Sequence, residues 1–166
     1  EMIKFLGATP VGLPPGAVYE NLQKGVIDGF VFPWDPLNSY KLAELTKYHL
    51  DARAYTVPFF VLMNDKKYQS LPADVRKVID ETTGQVMVNM LGKVWDDADN
   101  LGKEASKKSG GILTPLAKAE RERWVQTLAG MLNRQILDLE NQGVKNAREI
   151  YLEMQKANER FSQAKR

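Results

Sequence analysis

The chain has 166 residues, of which 43% are hydrophobic and 27% charged, and its formal net charge at pH 7 is +2. These values are close to the averages of folded globular domains, so they exclude disorder of the whole chain and give no electrostatic reason to expect nucleic acid or an anionic membrane as a partner. The sequence contains no cysteine, which excludes disulfides and thiolate sites, and no apolar run of the roughly 18 residues that a membrane helix needs.

The end of a helix and a short strand open the chain. Met2 to Leu6 carry the apolar residues of a last helical turn, and Gly7 follows them. Thr9 to Leu13 predict a short strand, which the run from Pro14 to Gly16 ends because proline has no N–H to donate and a fixed φ. The chain is expected to turn there.

A helix and a second strand come next. Val18, Leu22 and Val26 fall on one helical face, and Gly25 supplies a stop signal. Residues 30–32 form a continuous apolar run that is typical of a strand covered on both faces of a parallel sheet. Both predicted strands therefore end at the same edge of one sheet.

The ends of these strands predict a pocket. Ligands of open α/β sheets bind at the carboxyl ends of the strands, so we expect residues 13–16 and 32–38 to line one crevice. Asp35 and Pro36 predict a helix start with an N-cap followed by proline at the first position. That helix start would direct N–H groups at an anion, although the carboxylate of Asp35 competes for them.

The middle of the chain predicts a helix, a strand and a long helix. Residues 37–47 have loose helical spacing, and residues 55–61 alternate with a period of two, which makes them the longest strand candidate. A broad apolar stripe predicts one helix from about Ala73 to Lys108, with kinks at its glycines.

The end of the chain predicts a short strand followed by helices. Residues 112–114 are the strand candidate, and a helix follows that opens at Pro115 to Glu120 and ends at Gly143. The tail from Asn146 to Arg166 places Ile150, Met154, Ala157 and Phe161 on one stripe. Packing on the rest of the protein is favoured over a coiled coil, because the tail is shorter than three or four heptads.

Catalytic and metal-binding patterns are weak. His49 is the single histidine and no Gly-x-Ser-x-Gly elbow is present, so we expect it to close a turn rather than to act as a catalytic base. Asp96, Asp97 and Asp99 scatter around a helix axis, which predicts a solvated face rather than a cation site. We expect no cofactor, no metal and no enzymatic activity.

Several segments together resemble the DctP-type solute-binding proteins of tripartite ATP-independent periplasmic (TRAP) transporters. The residues that carry the resemblance are Gly7 to Val11, Leu13-Pro14, Val18 to Gly29, Pro33, Lys41 to Leu45, Lys47 to His49, Phe59 to Asn64 and Leu71 to Asp74. The resemblance implies an α/β fold like that of type II periplasmic binding proteins, here as a helix-rich partial chain with a small mixed sheet and long C-terminal helices. It divides the chain into residues 1–54 as part of the second ligand-binding lobe, residues 55–64 as a strand that crosses the hinge, and residues 65–166 as helices that brace both lobes.

The same resemblance implies a function without catalysis. Such proteins capture a small organic acid in the periplasm and deliver it to membrane permease subunits, and any export signal would lie upstream of Glu1. The family holds its ligand carboxylate with an arginine upstream of the segment that begins at Gly7, so we expect this chain to lack that anchor and to bind ligand weakly by itself. An alternative is a fragment that associates with the missing N-terminal half or, by domain swapping, with a second copy of itself.

Six residues are the predicted ligand contacts: Pro15, Phe32, Trp34, Asn38, Arg53 and Tyr55. In many family members the position of Phe32 is an asparagine and that of Pro15 can be aromatic, so the apolar residues here suggest a hydrophobic or aromatic carboxylate. Trp34 would form a flat wall, with core packing as an equal alternative. Arg53 would bind the carboxylate or form a surface ion pair, and Tyr55 would add a hydroxyl on the same face.

Overall fold

A computed structural model describes the backbone of residues 1–164 and the side chains of residues 1–160. The last two residues of the predicted tail and the side chain of Phe161 lie outside these described parts. The chain divides into two compact units, which are described separately below. One unit comprises Glu1–Val11 and Ala117–Arg166, and the other comprises Gly12–Leu116.

The described residues form short helices up to Gln69 and longer helices after it, and two strands and two 3-10 turns lie between helices. In chain order, all of these elements are α1 (Met2–Phe5), the 3-10 turn Pro15–Ala17, α2 (Val18–Gln23), α3 (Pro36–Ser39), the 3-10 turn Leu42–Glu44, β1 (Tyr48–Asp51), α4 (Asp65–Gln69), α5 (Ala73–Thr82), α6 (Gln85–Lys108), β2 (Ile112–Pro115), α7 (Lys118–Asn141) and α8 (Ala147–Ala164). None of the described helices is long and apolar enough to cross a membrane.

The unit Gly12–Leu116 contains a small sheet of two parallel strands. β1 pairs with β2 from Tyr48 opposite Ile112 to Asp51 opposite Pro115. The strand β2 confirms the prediction for residues 112–114, whereas β1, which follows the helix predicted over residues 37–47, was not predicted. The parallel pairing is possible because α4, α5 and α6 supply the long connection that parallel strands require.

The core of this unit lies under α2 and α3. Val18, Leu37, Leu42 and Ala43 are buried in one cluster. Partly buried residues from α2, the neighbouring loops and α6 pack against it: Leu13, Tyr19, Ile27, Phe30, Phe32, Trp34 and Ala105. The apolar residues of the opening segment therefore form this core.

The two strands predicted in the opening segment are wrong. Residues 9–13 and 30–32 have no strand pairing in the described structure. Leu13, Phe30 and Phe32 instead pack against the core as partly buried residues. An apolar run predicts that side chains will be buried, but a strand also needs a neighbouring backbone for its hydrogen bonds.

The helix predicted over residues 37–47 is also wrong, because it is broken into α3 and a 3-10 turn. Lys41 separates them with φ of 56°, in the left-handed region that a helix cannot continue through. Leu37 and Leu42 are nevertheless both buried, as their spacing predicts.

The longest strand candidate, residues 55–61, does not pair with any described strand and is therefore wrong as a strand in this chain. Residues 53–63 have no helix, strand, turn or bend. Phe59 stacks on Trp95 of α6 with ring centroids 4.6 Å apart and an interplanar angle of 8°. The alternating pattern of residues 55–61 suits a sheet, but no described strand lies beside this segment. The assignment of residues 55–64 as a hinge stays a prediction.

The single long helix predicted from Ala73 to Lys108 is two helices. The break lies at Thr83 and Gly84, where Gly84 has φ of 61° and ψ of −134°, a conformation open essentially to glycine alone. Gly92 and Gly102 remain inside α6. The apolar stripe of α6 is largely exposed, with Val86, Met90 and Val94 all more than half accessible.

The unit of Glu1–Val11 and Ala117–Arg166 is helical. α7 packs against α1 and α8, and Ile136 and Ala147 are buried. Residues 124, 128, 131 and 132 of α7 are half-buried and share a face with Ile136, whereas Leu139 is exposed. The last helix is confirmed, although Ile150 and Met154 on its predicted stripe are exposed.

Candidate functional site

Two predicted ligand residues, Phe32 and Trp34, lie together on the loop that enters α3. Both are half-buried and pack against the core cluster of α2 and α3. The ring of Phe32 lies 5.7 Å from that of Phe30 at an angle of 48°. The loop thus presents a partly exposed aromatic surface, which we call the aromatic wall (Phe32 and Trp34).

The helix α6 fixes the backbone of the aromatic wall. One carboxylate oxygen, Asp99 Oδ1, accepts hydrogen bonds from the backbone N–H groups of Trp34 at 3.2 Å and Asp35 at 3.1 Å. One turn later, Gly102 leaves room for the Trp34 carbonyl, because a Cβ at that position would overlap this oxygen. Lys103 Nζ then lies 5.3 Å from the centroid of the Trp34 ring, within the range of a cation–π interaction.

The carboxylate of Asp99 lies at the start of α3. The sequence predicts that backbone N–H groups at this helix start would bind the anionic group of a ligand. Two of these groups bind Asp99, so the assignment of this aspartate to a purely solvated face is wrong. The side chain of Asp35 makes no N-cap bond and accepts a hydrogen bond from Ser39 Oγ at 2.9 Å. With its donors occupied, this helix start does not provide a free anion site.

A buried polar network beside Trp34 ties β1 to α6. His49 Nδ1 lies 2.6 Å from Ser106 Oγ, and His49 Nε2 lies 2.7 Å from Thr46 Oγ1, which donates to the carbonyl oxygen of Leu42. The indole of Trp34 meets the His49 ring edge-on at a centroid distance of 6.4 Å. Ser106 is fully buried and His49 is 8% exposed.

The serine–histidine pair supports the fold and not acyl transfer. Ser106 is inaccessible, and the second ring nitrogen of His49 bonds to a hydroxyl rather than to the carboxylate that orients a catalytic histidine. Burial lowers the pKa of His49, so its neutral form is favoured. Gly111 lies close to this pair, because an added Cβ there would overlap Ser106 and crowd the ring of His49.

Within the described residues, the other four predicted ligand residues form no hydrogen bond, ion pair or ring contact with the aromatic wall. Pro15 starts the 3-10 turn before α2 and Asn38 lies within α3, and both are exposed. Arg53 is exposed, with φ of 46°, and its Nε lies 3.5 Å from Asp51 Oδ2, which is the surface ion pair considered as an alternative. Tyr55 is 44% exposed, and burial of the rest of its side chain raises its pKa. The ligand-binding roles of all six residues stay predictions.

The part of α6 that supports the aromatic wall was not predicted from the sequence. Asp99, Gly102 and Ser106 follow one another at helical spacings of three and four residues, so they share one face. The signal was present, because two small residues four positions apart on a helix allow another backbone to approach closely. In the described part of the chain, no cluster of histidine, aspartate and glutamate residues is suited to hold a metal ion.

Comparison with known sequences gives one family. The sequence model of the bacterial extracellular solute-binding proteins, family 7, matches residues 1–137. The C4-dicarboxylate-binding periplasmic protein DctP of Vibrio cholerae is 25% identical over 123 residues, which are 74% of this chain and 37% of that protein. The protein of the same name from Rhodobacter capsulatus is 28% identical over 104 residues, covering 63% of this chain and 29% of its own.

Solved structures agree with the sequence match. A TRAP solute-binding protein from a marine metagenome, specific for aromatic acid ligands and in complex with metahydroxyphenylacetate, is 36% identical with a TM-score of 0.81 over 88% of this chain and 47% of that chain. A TRAP solute-binding protein from Rhodoferax ferrireducens, in complex with copurified benzoate, is 29% identical with a TM-score of 0.78 over 95% of this chain and 52% of that chain.

These matches confirm both the predicted resemblance and the predicted fold, that of the TRAP periplasmic binding proteins in a helix-rich partial form. The chain spans about half the length of the solved structures and less of the curated relatives. Because the family match extends over most of the sequence, the chain belongs to the DctP family, the bacterial extracellular solute-binding proteins of family 7.

Proposed function

We propose that this chain forms part of a TRAP solute receptor that captures an aromatic or otherwise hydrophobic carboxylate and delivers it to membrane permease subunits. The aromatic wall is the observation that carries the proposal, because it is half-buried, apolar and held in place from α6. The aromatic acids bound by two structural relatives, at 36% and 29% identity, support the same ligand class.

The aromatic wall suits a ligand ring better than a polyol. Offset or edge-to-face contacts between aromatic rings contribute about 0.5–1.5 kcal/mol beyond the burial of area. A sugar acid would have to place hydroxyl groups against this surface, and each hydroxyl buried without a partner costs about 1–3 kcal/mol. The ammonium group of Lys103, which lies beside the Trp34 ring, is positioned to attract the carboxylate of a ligand that contacts this ring.

We propose a periplasmic location and a role without catalysis, in keeping with the periplasmic proteins that this chain resembles. The receptor would close two lobes over its ligand, and these residues would supply one side of the site. The carboxylate-binding arginine implied by the resemblance would come from chain that precedes the segment starting at Gly7. We therefore expect the 166-residue chain alone to bind ligand weakly.

The proposal is tested by isothermal titration calorimetry of a family-length protein that carries residues 1–166, with benzoate, 3-hydroxybenzoate, succinate and a sugar acid. We expect the two aromatic acids to bind more tightly than the others. Trp34→Ala should weaken benzoate binding about tenfold, or about 1.4 kcal/mol, because it removes the flat face of the wall. The 166-residue chain is titrated in parallel and should bind more weakly than the longer protein.

The matched control is Trp95→Ala, since Trp95 is partly exposed on the same helix that supports the wall but stacks on Phe59 instead. It should leave the affinity for benzoate unchanged. Tighter binding of succinate or of the sugar acid than of benzoate would refute the ligand class. An equal loss of affinity in both tryptophan variants would show that the wall does not contact the ligand.

A further inference from the structure

The ring of Trp34 in the aromatic wall is contacted from two elements of the same unit. His49 of β1 meets it edge-on, with the ring planes at 85° and the centroids 6.4 Å apart, and Lys103 Nζ of α6 lies 5.3 Å from its centroid. An edge-to-face arrangement is one of the preferred geometries of aromatic pairs. The orientation of the indole therefore depends on where the His49 ring is held.

A chain of hydrogen bonds with a fixed direction holds the His49 ring. The carbonyl oxygen of Leu42 can only accept, so the single hydroxyl hydrogen of Thr46 points to it, with the two oxygens 2.8 Å apart. Thr46 Oγ1 must then accept from His49 Nε2 at 2.7 Å, which places the proton of the neutral ring on this nitrogen. His49 Nδ1 is left as an acceptor, and Ser106 Oγ donates to it at 2.6 Å. Both ring nitrogens are engaged, so the ring is held against rotation.

One face of α6 supports both the backbone and the ring of Trp34. Gly102 and Ser106 are one helical turn apart, and a Cβ at Gly102 would overlap the Trp34 carbonyl. Ser106 is fully buried and His49 is 8% exposed, and within the described residues no buried side-chain nitrogen or oxygen lacks a hydrogen-bond partner. The network is therefore complete within the unit Gly12–Leu116.

We propose that His49 and Ser106 are positioning residues of the ligand site, which hold the Trp34 ring in the orientation that packs against the ring of an aromatic acid. The proposal rests on the proposed function, since it takes Trp34 as a ligand contact. Both residues are buried, so they act on the ligand through Trp34 and not by touching it. They should therefore affect the preference for aromatic rings and not the binding of the carboxylate.

Two ligands of similar size isolate this effect. Benzoate and cyclohexanecarboxylate share the carboxylate and a six-membered ring, and they differ in the aromatic character of that ring. A well-placed aromatic pair favours the aromatic ligand by roughly two- to tenfold. The ratio of the two affinities therefore reports the orientation of Trp34, and isothermal titration calorimetry measures it on a family-length protein that carries residues 1–166.

The first variant, Ser106→Ala, removes the donor to His49 Nδ1 and frees the ring to rotate. We expect the preference for benzoate to fall by about twofold or more, because the edge contact with Trp34 is no longer fixed. The affinity for cyclohexanecarboxylate should stay nearly the same. Ser109→Ala is the matched control, since the hydroxyl of Ser109 donates to the carbonyl oxygens of Ala105 and Ser106 instead, and it should leave the ratio unchanged.

A second pair of variants tests the other end of the network. Thr46→Val keeps the shape of the side chain but removes the oxygen that accepts from His49 Nε2. We expect the same loss of preference for benzoate as in Ser106→Ala. Thr46→Ser retains the hydroxyl and should restore the preference.

The position of Trp34 is also measured without a ligand. In the NMR spectrum of the ligand-free protein, the indole N–H resonance of Trp34 is identified by its loss in Trp34→Phe. Ser106→Ala and Thr46→Val should shift or broaden this resonance, because the ring becomes free to change its orientation, whereas Ser109→Ala should not.

The outcomes separate a failure of the positioning role from a failure of the proposed function. If the natural protein does not prefer benzoate, the ligand class fails and the role of the network in ligand selection fails with it, while the indole resonance still shows whether His49 fixes Trp34. If the natural protein prefers benzoate but Ser106→Ala weakens both ligands equally or neither, the ligand class stands and the positioning role is overturned. An unchanged Trp34 resonance in Ser106→Ala, or a Thr46→Ser variant that behaves like Thr46→Val, would overturn it as well.

Discussion

The single histidine of the chain is held in a buried network that contains no charge. His49 contacts Ser106 and Thr46 through its two ring nitrogens, and both partners are hydroxyl groups that can donate or accept. A protonated imidazole in this position would lack a nearby counter-ion in the network. Its burial therefore favours the neutral ring, which explains why the pKa of His49 is lowered.

This lowered pKa predicts that acid destabilises the fold. Between the usual histidine value near 6.5 and the lower pKa of the folded state, the unfolded chain binds more protons, so the free energy of unfolding decreases as the pH falls. Urea unfolding between pH 7.5 and 5.5 measures this slope, and His49→Gln should flatten it because the sequence has no other histidine. The same slope in the variant, or greater stability in acid, would contradict the assignment.

Asp99 is a second residue whose role depends on a distant contact. We predict that Asp99→Ala lowers the free energy of unfolding by about 1 kcal/mol, the usual cost of a lost cap, because it leaves two backbone N–H groups of the wall loop without their acceptor. Asp99→Asn keeps an oxygen acceptor and should lose less. Asp97→Ala serves as the control in chemical denaturation, since Asp97 forms only an exposed pair with Lys93; an equal effect of both alanine variants would disprove the capping role.

The helix α6 contains two glycines with opposite surroundings, which gives an internal comparison at the scale of one element. A Cβ at Gly102 would overlap the backbone of Trp34, whereas a Cβ at Gly92 would meet no atom within 4 Å. We predict that Gly102→Ala destabilises the protein by about 1–3 kcal/mol through overpacking. Gly92→Ala should stabilise it by up to about 1 kcal/mol, because alanine favours the helix.

Thermal and urea unfolding of the two glycine variants separate packing from helix propensity. Both substitutions add one methyl group to the same helix, so any difference between them reports the contact with Trp34. Should Gly102→Ala be as stable as Gly92→Ala, the close approach of the loop to α6 would be refuted.

Local signals predicted helices well where a glycine or proline marks the boundary. Val18 and Gly25 frame α2, Pro36 starts α3, and Gly143 follows the end of α7 with φ of 100°. They failed where an element depends on a partner elsewhere. β1 exists because residues 112–115 lie beside it, and residues 55–61 lack such a neighbour despite their stronger strand pattern.

At the scale of the whole molecule, much apolar surface of the described chain is uncovered. The stripe of α6, the segment Tyr55–Met63 and the outer positions of α8 are all exposed. Their patterns are those of buried faces, which is in keeping with a chain that spans about half the length of its solved relatives.

The sequence by itself determined the family and the long C-terminal helices, because matched segments and helix signals are local properties of the chain. Apolar spacing indicated only part of the core, since Val18 is buried but Val26 and the stripe of α6 are exposed. The sequence also indicated Phe32 and Trp34 as neighbouring candidates for ligand contact. Only the tertiary structure decided that Asp99 caps α3, that Ser106 binds His49, and which apolar runs become strands. These results depend on groups far apart in sequence that meet only after folding, and no local pattern specifies such a partner.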